Sequence, residues 1–191
     1  MIRSIVAYGN PILRKQCVHV IEDLFHLQQL IDDMWETMYN ADGCGLAAPQ
    51  VGHSLRLFIV DSKTTYNNLD PEDRTSFFEE GDTGIIETFI NAEIIERSER
   101  LWEDDEGCLS IPGISQTVTR PWSITVRYLD RDLQKHQKTF TGLTARMIQH
   151  EYDHTQGILY VDYLKPLTRK LLEGKLKKIV KGLVKVKYPI E

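Results

Sequence analysis

Apolar positions recur at helical spacing across residues 24–39, where Leu24, Leu27, Ile31, Met34 and Met38 fall on one face. The spacing predicts a helix with Asp23 as its N-cap and Ala41-Asp42-Gly43 as its end. The short apolar run between Arg56 and Asp61 reads as a buried strand. Strand material follows at Phe89-Ile90-Asn91, Ile94-Ile95, Val118, residues 123–128 and Lys138-Thr139-Phe140, with Asp130-Arg131-Asp132 as a hairpin turn. A second helix is expected to start near Thr144, carry Met147 and Ile148, and stop at Gly157. A basic helix over about 168–184 closes the chain.

Strands therefore cluster in the middle, with helices early and late. That order predicts an α+β fold, not a doubly wound parallel sheet. Antiparallel or mixed strands would pack around a central helix, with the basic helix at the C-terminus. Residues 62–87 break the pattern. Asn67-Asn68-Leu69-Asp70-Pro71 and the acidic Glu79-Glu80-Gly81-Asp82 read as an inserted, exposed acidic loop. With 191 residues and no convincing linker or repeat, residues 1–191 are expected to form a single domain.

Composition changes this picture little: 41% hydrophobic and 27% charged residues are ordinary for a globular domain. No apolar run approaches the roughly eighteen residues needed to span a bilayer. The opening residues lack the apolar core and cleavage site of a signal peptide. A cytoplasmic protein without membrane contact is the expectation. Three widely spaced cysteines (Cys17, Cys44 and Cys108) do not look like a disulfide framework and must be judged singly.

Charge does change the picture. Residues 165–191 carry 9 basic and 2 acidic side chains, whereas the rest of the chain carries 14 and 26. The plain reading is a solvated helix face. The sharper one is a docking element for an anionic surface such as ribosomal RNA.

The strongest chemical signal is His150-Glu151-Tyr152-Asp153-His154. On a helix, residues four apart lie one above the other, so two imidazoles can grip one metal ion. Glu151 is placed to take a proton from an attacking water. The alternative is a pair of surface histidines. A catalytic site also needs a third protein ligand. No histidine follows His154, and the downstream Glu173 lies on the basic tail. His19, His26, His53 and His136 show no partner pattern. Cysteine remains: Cys108 lies in Glu106-Gly107-Cys108-Leu109-Ser110-Ile111-Pro112-Gly113, a segment able to present a thiolate from a loop or strand end. Gly107 beside it would allow close backbone approach. Alternatively Cys108 is only a small buried hydrophobe.

Three segments together resemble the motifs of the peptide deformylases, in the family's order: Gly43-Cys44-Gly45-Leu46-Ala47-Ala48-Pro49-Gln50, Glu106-Gly107-Cys108-Leu109-Ser110 and Gln149-His150-Glu151-Tyr152-Asp153-His154. The likeness extends from residue 5 to about 166, interrupted mainly by the acidic loop, and includes Tyr8-Gly9-Asn10-Pro11-Ile12-Leu13-Arg14 and Gly157-Ile158-Leu159-Tyr160-Val161-Asp162-Tyr163-Leu164. It implies that Cys108, His150 and His154 bind one divalent metal ion, with Glu151 as general base. Gln50 and the backbone N–H of Leu109 would stabilise the oxyanion. Gly45 would pair with the substrate backbone, and Leu109, Leu143 and Met147 would wall a methionine pocket. Glu106 and Arg120 would pair behind the cysteine segment.

The implied reaction is hydrolysis of the formyl group from the N-terminal methionine of newly made bacterial proteins, by a monomer. The resemblance favours iron(II), while zinc, nickel and cobalt accept the same ligands. Rival readings are a metallopeptidase of the His-Glu-x-x-His type and a non-catalytic module with a closed metal site completed by Cys44. The chain departs from the family's usual residues at Cys44, Thr155 and Tyr160, and 62–87 is longer than in many relatives.

Overall fold

A computed structural model describes residues 1–21 and 24–191, with the backbone alone at 24 and 25. The expected cap Asp23 lies outside the described residues. Helix α1 spans Leu24–Asn40 and buries Leu27, Leu30, Ile31, Met34 and Met38 as one stripe. It stops where Asp42 turns left-handed (φ 55°) ahead of Gly43. The stripe packs on β1 (Gly45–Ala47) and β2 (Leu57–Asp61), whose side chains are buried on both faces in β2. Burial on both sides explains why β2 reads as a continuous apolar run, not as an alternating one.

Strands β3 (Ile86–Arg97), β6 (Ser123–Leu129) and β7 (Lys135–Thr141) complete an antiparallel sheet in the order β1-β2-β3-β6-β7. The two segments expected at 89–91 and 94–95 are one strand, interrupted by register shifts on either side of Glu93. Asn91 sits at a left-handed φ of 52° there, and its side chain bonds Val20 through both N–H and C=O. The Asp130 turn forms as expected: one carboxylate oxygen accepts from the N–H groups of Asp132 and Gln134, each at 2.9 Å.

A second sheet pairs β4 (Leu101–Cys108) with β5 (Ile111–Pro121). Strand β4 has no counterpart in the sequence reading. Its acidic side chains hide the strand, because Glu103 and Asp105 face solvent and accept hydrogen bonds from Thr119 and Thr117 across the pair. Between the two sheets runs α4 (Gly142–Thr155), in which every residue except Leu143 and Tyr152 is buried.

Two expectations are corrected. Residues 62–87 are not an open loop. Asp61 caps α2 (Ser62–Asn68) by accepting from Thr64 N–H at 2.7 Å, and Pro71 opens α3 (Pro71–Phe77). Each helix is only seven residues long, too short for periodicity to reveal. Buried Phe78 and a 2.6 Å hydrogen bond from Trp122 to Glu79 fasten the segment to the body. The basic helix α5 spans Pro166–Val180, not 168–184. Gly182, at φ 65°, ends it, and the chain returns in extended form to pair Ile190 with Ile5.

Candidate active site

A helix buried on nearly all sides must find a partner for each polar side chain it carries, because an unpaired buried polar group costs free energy. Helix α4 carries Arg146, His150, Glu151, Asp153 and His154 into the interior. Most of their partners come from the β4–β5 pair. Cys108 stands at the end of β4, where the register slips and the chain turns through Leu109 and Ser110 into β5. Its Sγ lies 3.3 Å from His154 Nε2. The donor atoms of Cys108, His150 and His154 all lie within 4.8 Å of one another. Among the described residues, no other cysteine, histidine or carboxylate joins this cluster. Cys44 is exposed and stands outside it.

His150 Nδ1 is 2.9 Å from Glu106 Oε2. Arg120 forks onto Glu106 with Nε at 2.5 Å and a terminal nitrogen at 2.9 Å, and its other terminal nitrogen reaches Asp153 at 2.8 Å. Arg146 adds a further donor to Glu106 at 2.7 Å and also bonds the carbonyls of Val118 and Trp102. Tyr163 closes the group by donating to Asp153 at 2.8 Å. Two buried carboxylates thus balance two buried guanidiniums, which makes their burial tolerable. Burial alone would push the Glu106 carboxyl up, but hydrogen bonds from Arg120 and His150 hold it well below the usual range.

The other side chains on this face behave differently. Glu151 Oε2 and His154 Nδ1 are buried without a hydrogen-bond partner. Burial pushes the Glu151 carboxyl up to about 7 and the His154 imidazole well below its usual value. A neutral imidazole is the form a metal requires. One thiol, two imidazoles and unpartnered polar atoms beside them fit a divalent ion.

Gln50 comes from the turn Ala48–Val51 that follows β1. Its Oε1 accepts from Ala47 N–H at 2.8 Å, which directs Nε2 toward Cys108 Sγ (3.5 Å) and Ser110 Oγ (3.2 Å). Gly45 lies against Glu151, and a Cβ there would come within 2.4 Å of Glu151 Oε1. Gly107 has no such role: a Cβ would approach nothing closer than 3.8 Å, so the close approach expected of it is absent. The Leu109 side chain instead packs over Gly43.

Gly45, Gln50, Cys108, His150 and Glu151 face one cavity of about 800 Å³, with Leu109, Leu143 and Met147 in its wall. The sequence reading assigned no role to Arg146, Asp153 or Ser110, although Arg146 precedes His150 by one helical turn and so had to share its face.

An antiparallel α+β fold around a buried Cys/His/His donor cluster with an adjoining glutamate defines the class: a hydrolase of the metal-site type. A family model described as polypeptide deformylase matches residues 2–170. The chain belongs to the polypeptide deformylase family.

A peptide deformylase of Christiangramia forsetii is 43% identical over 190 residues, covering 98% of this chain and 94% of its own length. One from Cytophaga hutchinsonii is 43% identical over 195 positions, covering 100% of both. A crystal structure of a peptide deformylase from Legionella pneumophila superposes with a TM-score of 0.78 at 39% identity, over 96% of this chain and 98% of that one. An Arabidopsis thaliana peptide deformylase 1B superposes at 0.79 with 32% identity, over 94% and 91%. No helix among the described residues is long and apolar enough to cross a membrane.

Proposed function

We propose that Glu151, Gln50 and Leu109 carry the hydrolysis performed by this deformylase, removing the formyl group from the N-terminal methionine of nascent chains in the cytoplasm. The observation that carries this is the buried Glu151 carboxyl, unpartnered at Oε2 beside the Cys/His/His cluster.

Cys108, His150 and His154 would hold the metal, and Glu106 keeps a proton on His150 Nδ1 so that Nε2 is free to bind. A divalent ion bound there supplies Lewis-acid polarisation and lowers the pKa of water. The family resemblance supports iron(II) as the native ion, and zinc, nickel or cobalt accept the same ligands.

Glu151 takes a proton from the attacking water and returns it to the departing amine. Its buried, unpartnered Oε2 is available for both transfers. Gln50 Nε2 donates to the developing oxyanion, its amide fixed by Ala47 N–H, and the Leu109 N–H joins it. One such donor is typically worth about 3 kcal/mol of barrier. Leu109, Leu143 and Met147 wall the methionine side chain. Strand β1, at the sheet edge, offers Gly45 and its neighbours to the peptide backbone.

E151Q separates this account from a binding role. It should retain metal and lose turnover, and formate release at the wild-type rate would overturn Glu151 as the base.

The exposed lysines of α5 support contact with ribosomal RNA. Leu172, Leu176 and Ile179 are buried in the body, so the test is reversal of exposed Lys175 and Lys178 to glutamate, not deletion. Unchanged ribosome co-sedimentation would remove this role.

A further inference from the structure

After α5 the chain does not trail into solvent. Val184, Val186, Tyr188 and Ile190 are half-buried, while Leu183, Lys185, Lys187 and Pro189 are exposed. That is the two-residue period of an extended segment laid against the body on one side. Its partner is the stretch 5–8, which is used on both edges. On one edge Ile5 N–H donates to Pro189 O at 2.8 Å, Glu191 N–H to Ile5 O at 2.9 Å, and Ala7 N–H to Glu191 O at 2.7 Å. On the other, Val6 N–H donates to Gln50 O and Tyr8 N–H to Ser110 O, each at 2.8 Å. One short segment therefore ties the tail to both turns that carry the oxyanion donors.

Tyr188 closes the connection directly. Its hydroxyl donates to Leu109 O at 2.8 Å, and Val186, Lys187 and Tyr188 line the cavity alongside Leu109. Leu109 sits in a two-residue turn between β4 and β5, outside either strand ladder, so an added bond to its carbonyl restricts how its peptide units can rotate. Burial pushes the Tyr188 phenol up to about 12, so it remains a donor through the neutral range.

We infer that the C-terminal segment is part of the active site, and that Tyr188 is a positioning residue which fixes Leu109 for the oxyanion while its ring walls the substrate cavity. This rests on the proposed role of the Leu109 N–H in deformylation. A bond that matters only when charge develops on the oxyanion lowers kcat and kcat/KM together and leaves KM in place. Losing one ordinary hydrogen bond predicts a kcat lower by about 2- to 10-fold.

The test is Y188F, which keeps the ring and removes the hydroxyl, assayed for formate release from a formyl-methionyl peptide beside wild type. Amide exchange at Leu109 would be followed by NMR on the zinc-loaded forms of both. A reduced kcat, steady KM and faster Leu109 exchange at unchanged melting temperature are expected. Unchanged kcat would overturn the inference, as would a KM increase alone or a kcat loss that merely tracks a lower melting temperature. Inactivity of the wild type itself would instead fail the catalytic reading.

Discussion

Glu106 Oε2 lies 2.9 Å from His150 Nδ1, and the same carboxylate is gripped by Arg120 and Arg146. Four donors on two oxygens leave Glu106 no freedom to rotate, so the His150 ring inherits its orientation from the β4–β5 pair. Helix α4 and strand β4 are thereby linked through this carboxylate, beside the Arg120–Asp153 pair and the Arg146 bonds to Val118 and Trp102.

E106Q should accordingly loosen His150 and weaken metal binding by about 10- to 100-fold. It also leaves two buried guanidiniums partly uncompensated, with an expected stability loss of about 3–5 kcal/mol. Competition with a chromophoric chelator and urea unfolding read the two effects separately. Wild-type metal affinity in E106Q would show that His150 does not depend on Glu106.

Gly45 is required by the space beside it and not by its backbone angles. An alanine Cβ would overlap Glu151 Oε1 at 2.4 Å, so the carboxylate must move. A displacement of about 1 Å in a catalytic group can cost roughly a hundredfold in rate. G45A should lose activity on that scale while keeping its metal content. Full activity would mean that the Glu151 position is not critical.

Acid stability should depend on Asp33. Burial alone would raise its carboxyl, but hydrogen bonds from the Met1 ammonium, Gln29 and Arg3 hold it below its ordinary value. A carboxyl lowered in the folded state contributes stability above its unfolded value of about 3.9. The contribution is lost as pH falls through the lowered folded value. The urea midpoint of the wild type should therefore drop more steeply from about pH 5 downward than that of D33N, and parallel curves would contradict this.

Elements whose burial follows a simple period were legible in the sequence. The α1 stripe and the run in β2 are such cases, and the His150–His154 spacing gave the centre of the site its place on a helix. Strand β4 was not legible, because its outward acids find their partners only in Thr117 and Thr119 once β5 folds back on it. Helices α2 and α3 depend on Asp61 as a cap and on Phe78 finding a buried position, neither visible as a pattern. Arg146 was not singled out, because its partners come from β4 and β5. The end of the basic helix was placed at Val184 instead of Val180, although Val184, Val186, Tyr188 and Ile190 already alternate with period two.

The central claim is most directly tested by formate release from formyl-Met-Ala-Ser by protein purified without oxygen, with metal content read on the same sample. The account predicts formate and a free methionyl amine, no internal peptide cleavage, and metal near one ion per chain. Metal-loaded, folded protein that releases no formate, or that cuts an internal bond, would contradict it.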